Sequence, residues 1–140
     1  MTRNEAREIM MQILYEMEAA DEMNEETALR LAEERLAGNH ILRGQALLRQ
    51  IIAHIDEIDE AINACSTRWK TKRMPKVDLA IMRLAVGEMN YTDDISDAVA
   101  INEAINLGKK FSTAQSSRFI HGVLGAVAKT HAERAEREEQ

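Results

Sequence analysis

The residues best equipped for chemistry lie in "INLGKKFSTAQSSRFIHGVLG", positions 105 to 125. This stretch holds Lys109, Lys110, Arg118 and both phenylalanines of the chain, Phe111 and Phe119, around a run of Ser and Thr. A loop that leads into a helix N-terminus presents free backbone N–H groups and the positive end of the helix dipole, which favour an anionic phosphate. Cations beside it add charge, and an exposed phenylalanine can stack on an unpaired base, the usual way single-stranded RNA is held. The competing role for these residues is structural, with the aromatics in a core and the cations solvating a helix end. Position on the apolar side of "INLGKKF" puts Phe111 in the core, whereas Phe119 fits either role. A second basic group, Arg68, Lys70, Lys72, Arg73 and Lys76, surrounds Trp69 and Pro75.

Catalytic patterns are scarce. No Gly-rich phosphate loop is present, and Gly122 and Gly125 fall inside a helical pattern, where the expected role is close helix packing. Acid pairs such as Asp56 with Glu60 sit four apart on what should be a solvated helix face. His40, His54, His121 and His131 lack metal-ligand spacing, and the lone Cys65 offers neither a disulfide nor a zinc motif. Ser116 and Ser117 have no recognisable base, and capping a helix explains a serine there more simply. The expectation is a protein without catalysis, cofactor or metal.

The 140 residues suffice for one domain with a single core. A chain that is 45% apolar, with one proline and six glycines, is too apolar for disorder and too poor in turn residues for a many-stranded fold. With only 4% aromatics the core must be Leu, Ile, Ala and Met. No run approaches the length needed to cross a bilayer and no N-terminal apolar segment resembles a signal, so a cytoplasmic location is expected. The formal charge of −6 hides an asymmetry. Residues 1–67 carry six basic and fourteen acidic side chains, a balance of −8. Residues 68–131 carry ten and six, a balance of +4, which permits a polyanionic partner despite the acidic total.

The elements that must position these residues are helical throughout. Ala6, Ile9, Met10, Ile13, Leu14 and Met17 step by three and four, predicting a helix near 4–20. Asn24 caps a second, which Gly38 should end. Leu48, Ile51, Ile52, Ile55, Ile58 and Ile62 form the clearest stripe and predict one long helix. A short helical turn is expected around Trp69, and Pro75 suits the first turn of the next helix. There, Val77, Ala80, Ile81, Leu84, Ala85 and Glu88 share a face. Ser96 is the predicted cap of a helix at 97–110. A last helix, capped within 112–116, runs through Val127 before fraying into "HAERAEREEQ". The pattern gives an all-α bundle of six or seven helices.

The order of these segments carries a resemblance. "AREIMMQILYEME", a tryptophan before a basic stretch, "DLAIMRLAVGEM", "VAINEAINLGKKF" and "SSRFIHGVLG" resemble the NusB family of transcription antitermination factors, over roughly residues 3 to 128. The resemblance implies a NusB-like helical domain over 1–131, built of two packed helical halves, with 132–140 as a charged tail. It also implies a non-enzymatic adaptor. With a small-subunit ribosomal protein (NusE), such an adaptor binds single-stranded boxA RNA in nascent ribosomal transcripts, joins other Nus factors and RNA polymerase, and suppresses premature termination. By the same resemblance, Arg3 and Arg7 belong to an RNA-contacting arm, although Asn4 and Glu5 stand where further basic residues are usual. Arg118 and Phe119 fall on the RNA-facing start of the last helix. Gln115 replaces an acidic position there and His121 an asparagine. Tyr15 and Asp78 align with positions that face the ribosomal protein. The alternative is a helical protein-interaction module, partner-binding or homodimeric, in which specific RNA binding has weakened along with the arm's charge.

Overall fold

The computed structural model describes residues 1–139; Gln140, the last residue of the expected tail, lies outside them. Seven helices follow one another and no strand occurs among the described residues: α1 (Arg3–Ala19), α2 (Glu25–Arg35), α3 (His40–Ala53), α4 (Ile55–Cys65), α5 (Lys76–Tyr91), α6 (Asp97–Phe111) and α7 (Ala114–Glu139). Four begin at a side-chain cap that takes up an otherwise orphaned N–H. Thr2 accepts from Glu5 N, Asn24 from Thr27 N, Ser96 from Val99 N and Thr113 from Ser116 N, at 2.9–3.2 Å. Pro75 precedes the first residue of α5, one position earlier than its expected place within the first turn.

Helices α1, α2 and α3 pack on one another as one half, while α4 and α6 pack on α7 as the other. Helix α5 lies between them and touches α1, α3, α4, α6 and α7. Its apolar periodicity predicts one buried face, yet all twelve residues from Asp78 to Met89 are buried. Arg83 and Glu88 are tolerable in that run because each has an oppositely charged partner, whereas Asp78 keeps Oδ2 without a partner among the described residues. Arg83 donates to both carboxylate oxygens of Asp59 at 2.9 and 2.7 Å and to Glu18 at 2.9 Å. Glu88 is held by Arg7, and Asp78 Oδ1 accepts from Ser112 Oγ at 2.9 Å.

Four expectations need correction. The long isoleucine stripe is broken at His54 into α3 and α4, and Ile55 beyond the break is only partly buried. The His54 ring stacks on Tyr91 at 4.9 Å and its Nδ1 lies 3.0 Å from Gln50 O, so a tertiary contact holds the interruption. Helix α2 stops at Arg35, and Gly38 supplies its left-handed backbone (φ 61°) in the α2–α3 connection rather than at the helix end. Gly122 and Gly125 have open space where a Cβ would stand. The close approaches occur elsewhere, at Gly87 against Ile51 and at Gly44 against Leu36. Finally, the charged C-terminal segment continues α7 to Glu139, tied at its root by His131 Nδ1, 3.1 Å from Asp97.

Candidate nucleic-acid interface

The first turns of α7 set the site. Gln115, Arg118, Phe119 and Gly122 recur at three- and four-residue spacing and therefore share one side of the helix. Gln115 and Arg118 are exposed and Phe119 is half-buried, while Ser116, Ser117 and Ile120 turn inward. Ser117 packs against Gly108 and brings α7 onto α6.

Phe119 meets Trp69 of the α4–α5 connection edge-to-face, with ring centroids 5.2 Å apart and planes at 77°. Arg68 lies over the other ring of this pair, its Cζ 4.3 Å from the Trp69 centroid. In place of the helical turn expected around Trp69, the connection turns at Lys70, whose carbonyl accepts from Arg73 N and Met74 N at 2.9 and 3.0 Å, and it is firmly built. Lys70 Nζ donates to the Asn63 and Ser66 carbonyls at the end of α4, Thr71 N donates to Asn63 Oδ1 at 2.7 Å, and Met74 is sunk into the core. Arg68, Lys72 and Arg73 are left on its outer surface. At the end of α6, Lys109 is exposed, Lys110 pairs with Glu8 at 2.6 Å, and Phe111 packs partly against the core.

The N-terminal arm is arranged differently. Arg3 is exposed and pairs with Asp94 of the α5–α6 connection at 2.6 Å, and Arg43 of α3 reaches the same carboxylate oxygen at 2.7 Å. The hydrogen bond from Arg43, supported by the charges of both arginines, holds the Asp94 carboxyl below its ordinary range. Arg7, expected on the RNA-facing surface, is instead only 4% exposed. Its guanidinium is spent on Glu88, with Asn4 and Glu103 nearby. Burial pushes the Glu88 carboxyl up, against the pull of Arg7. No group of His, Cys, Asp and Glu gathers as a metal site among the described residues.

Residues 4–129 match the model of the NusB family. The chain is 39% identical to the transcription antitermination protein NusB of Natranaerobius thermophilus, over 91% of this chain and 95% of that one. The chain belongs to the NusB family. Its structure is similar to NusB of T. maritima, with 27% identity, 99% and 98% of the two chains covered and a TM-score of 0.85. It is also similar to a structure of NusB and NusE in complex with double-stranded RNA, at 25% identity, 91% and 96% coverage and a TM-score of 0.78.

In this chain the two positions expected to face a protein partner separate. Tyr15 is 38% exposed on α1, beside an open groove lined by Ala19, Ala20, Thr27 and Leu31. Asp78 is fully buried, so the expected surface role gives way to an internal one: it ties the start of α5 to Ser112, just ahead of α7. The contact of Trp69 with Phe119 and the sharing of Asp94 by Arg3 and Arg43 join segments far apart in sequence. "STRWKTKR" is visible as a basic stretch, but nothing local shows what it touches.

Proposed function

We propose that this chain is a non-catalytic antitermination adaptor of the cytoplasm. Together with NusE it takes up a boxA-type single-stranded element of nascent ribosomal RNA, and with other Nus factors and RNA polymerase it suppresses premature termination. The observation that carries this reading is the row of exposed Gln115 and Arg118 beside half-buried Phe119 on α7, backed by Trp69 and Arg68. It offers a π-face for a base with cations beside it, on a rigid support. Arg118 and Gln115 supply donors at its edge, and Arg3 lies on the surface at the other end of α1. The groove beside Tyr15 is the proposed seat of NusE.

The test is a fluorescence-anisotropy titration of labelled boxA RNA and a scrambled control, with and without NusE, at two salt concentrations. The expected outcome is tighter binding of boxA than of the control, strengthened by NusE and weakened by salt. Equal binding of the two RNAs under every condition would overturn the RNA reading and leave a NusB fold used for protein contacts.

A further inference from the structure

The cations of the N-terminal arm and its neighbours differ from those of the α4–α5 connection in what already holds them. In the N-terminal arm and beside it, every cation is already occupied by a carboxylate: Arg3 and Arg43 by Asp94, Arg7 by Glu88 and Glu103, Lys110 by Glu8. In the α4–α5 connection the situation is reversed. No acidic residue occurs between Glu60 and Asp78. Arg68, Lys72 and Arg73 are exposed and make no salt bridge among the described residues. This connection is also the segment that touches Phe119, through Trp69.

A phosphate that approaches the arm must displace a carboxylate from each arginine and leave that carboxylate uncompensated. A phosphate that approaches Lys72 or Arg73 displaces only water and counterions, the process that drives polyanion binding, and Arg68 adds its charge from its seat over the Trp69 ring. We infer that the α4–α5 connection, through Arg68, Lys72 and Arg73, carries the backbone phosphates of the bound RNA, and that the N-terminal arm does not. The inference rests on the RNA reading proposed above and places the strand on a path. From a base stacked at Phe119 the sugar-phosphate chain continues past Trp69 and Arg68 over the outer side of the connection. The fixed geometry of that segment, fastened through Lys70, Thr71 and Met74, limits the ordering needed when RNA arrives.

The experiment uses the full chain with NusE and labelled boxA RNA, titrated over a series of salt concentrations. Three proteins are compared: wild type, Lys72→Gln/Arg73→Gln and Arg3→Gln. The loop variant is expected to bind roughly tenfold more weakly, for boxA and scrambled RNA alike, and to lower the slope of log affinity against log salt by about 1.4, two single-strand phosphate contacts. Arg3→Gln is expected to stay within about twofold of wild type. All three substituted side chains are exposed, and matching thermal melts confirm intact folds; Arg73→Gln alone carries the test should the double variant melt early. Unchanged RNA binding by the loop variant would overturn the inference, and so would a larger loss from Arg3→Gln. A loop variant that keeps RNA affinity while losing NusE would overturn it in favour of a protein-binding loop. Wild-type protein without preference for boxA sinks the underlying RNA reading instead, so the two failures are distinguishable.

Discussion

Arg7 and Glu88 are joined inside the core, with Arg7 Nε and Nη2 donating to the same carboxylate oxygen at 3.0 and 2.9 Å across 81 positions of sequence. The pair clamps the start of α1 to the end of α5. Removing one member leaves the other as an uncompensated buried charge, which costs about 3–5 kcal/mol. Arg7→Ala is therefore expected to lower the unfolding free energy by that amount in urea titrations. A loss of RNA binding at full stability would instead return Arg7 to the surface.

Two glycine substitutions should act in opposite directions. A Cβ at Gly87 would overlap the Ile51 side chain at Cγ1 and Cδ1, where α5 meets α3, so Gly87→Ala is expected to destabilise by about 1–3 kcal/mol. A Cβ at Gly122 meets nothing, and Gly122→Ala should stabilise α7 by up to about 1 kcal/mol. Thermal or urea unfolding of the two variants, compared in sign, is the check.

The periodic parts of the fold were legible because periodicity is a local property. Asn24 and Ser96 cap the helices they were expected to cap, and the Ala6–Met17 stripe lies on α1. Departures arise where a distant partner decides. The Ile51–Ile62 stripe continues across His54 without a glycine or proline to mark the break, and its reason, Tyr91, is 37 residues away. Asp78 and Arg83 lie off the apolar face of α5 and Glu88 is the one charge on it, and none finds a reason in the sequence until Ser112, Asp59, Glu18 and Arg7 are brought to them. The same holds at the site. Gln115, Arg118 and Phe119 could be placed on one helix side from spacing alone, whereas the burial of Arg7 and the pairing of Arg3 with Asp94 had no sequence signal.

Phe119 is partly buried against the core, and its edge contact with Trp69 adds about 0.5–1.5 kcal/mol. Phe119→Leu keeps much of the apolar bulk and removes the ring. It is expected to melt close to wild type while weakening boxA binding by roughly tenfold, within the 1–3 kcal/mol of one stacked base. Anisotropy titration alongside a thermal melt separates the two effects, and unchanged affinity would exclude stacking at this residue.

Asp94 neutralises Arg3 and Arg43 together. Asp94→Asn removes that charge from an exposed connection and frees both guanidinium groups. RNA affinity is expected to rise by a few fold, with a salt dependence steeper by up to about 1.4, because two single-strand contacts become available. A salt series on this variant gives the answer; weaker binding would show that Asp94 supports the site rather than competing with it.

Glu16 accepts from Arg35 Nη2 at 3.0 Å, and that hydrogen bond holds its carboxyl below the ordinary glutamate range. The folded value is depressed, so the pair stabilises the α1–α2 contact above the unfolded pKa and is lost as pH falls through the folded one. Both side chains are largely exposed, which keeps the contribution under about 1 kcal/mol. A carboxyl-carbon titration by nuclear magnetic resonance should find Glu16 depressed in wild type and back in the ordinary range in Arg35→Ala.

Helix α5 has no face suited to water along its buried run, and this orders events during synthesis. When the ribosome has released only α1 to α4, the place that α5 fills is empty, and the sides of α1, α3 and α4 that face it have no partner. The α4–α5 connection, with its four cations, leaves the exit tunnel before the helix that completes the core. A nascent chain of this protein therefore displays its basic loop while still unfolded. Phe119, which Trp69 of that loop meets in the folded protein, follows only with the second half of the chain.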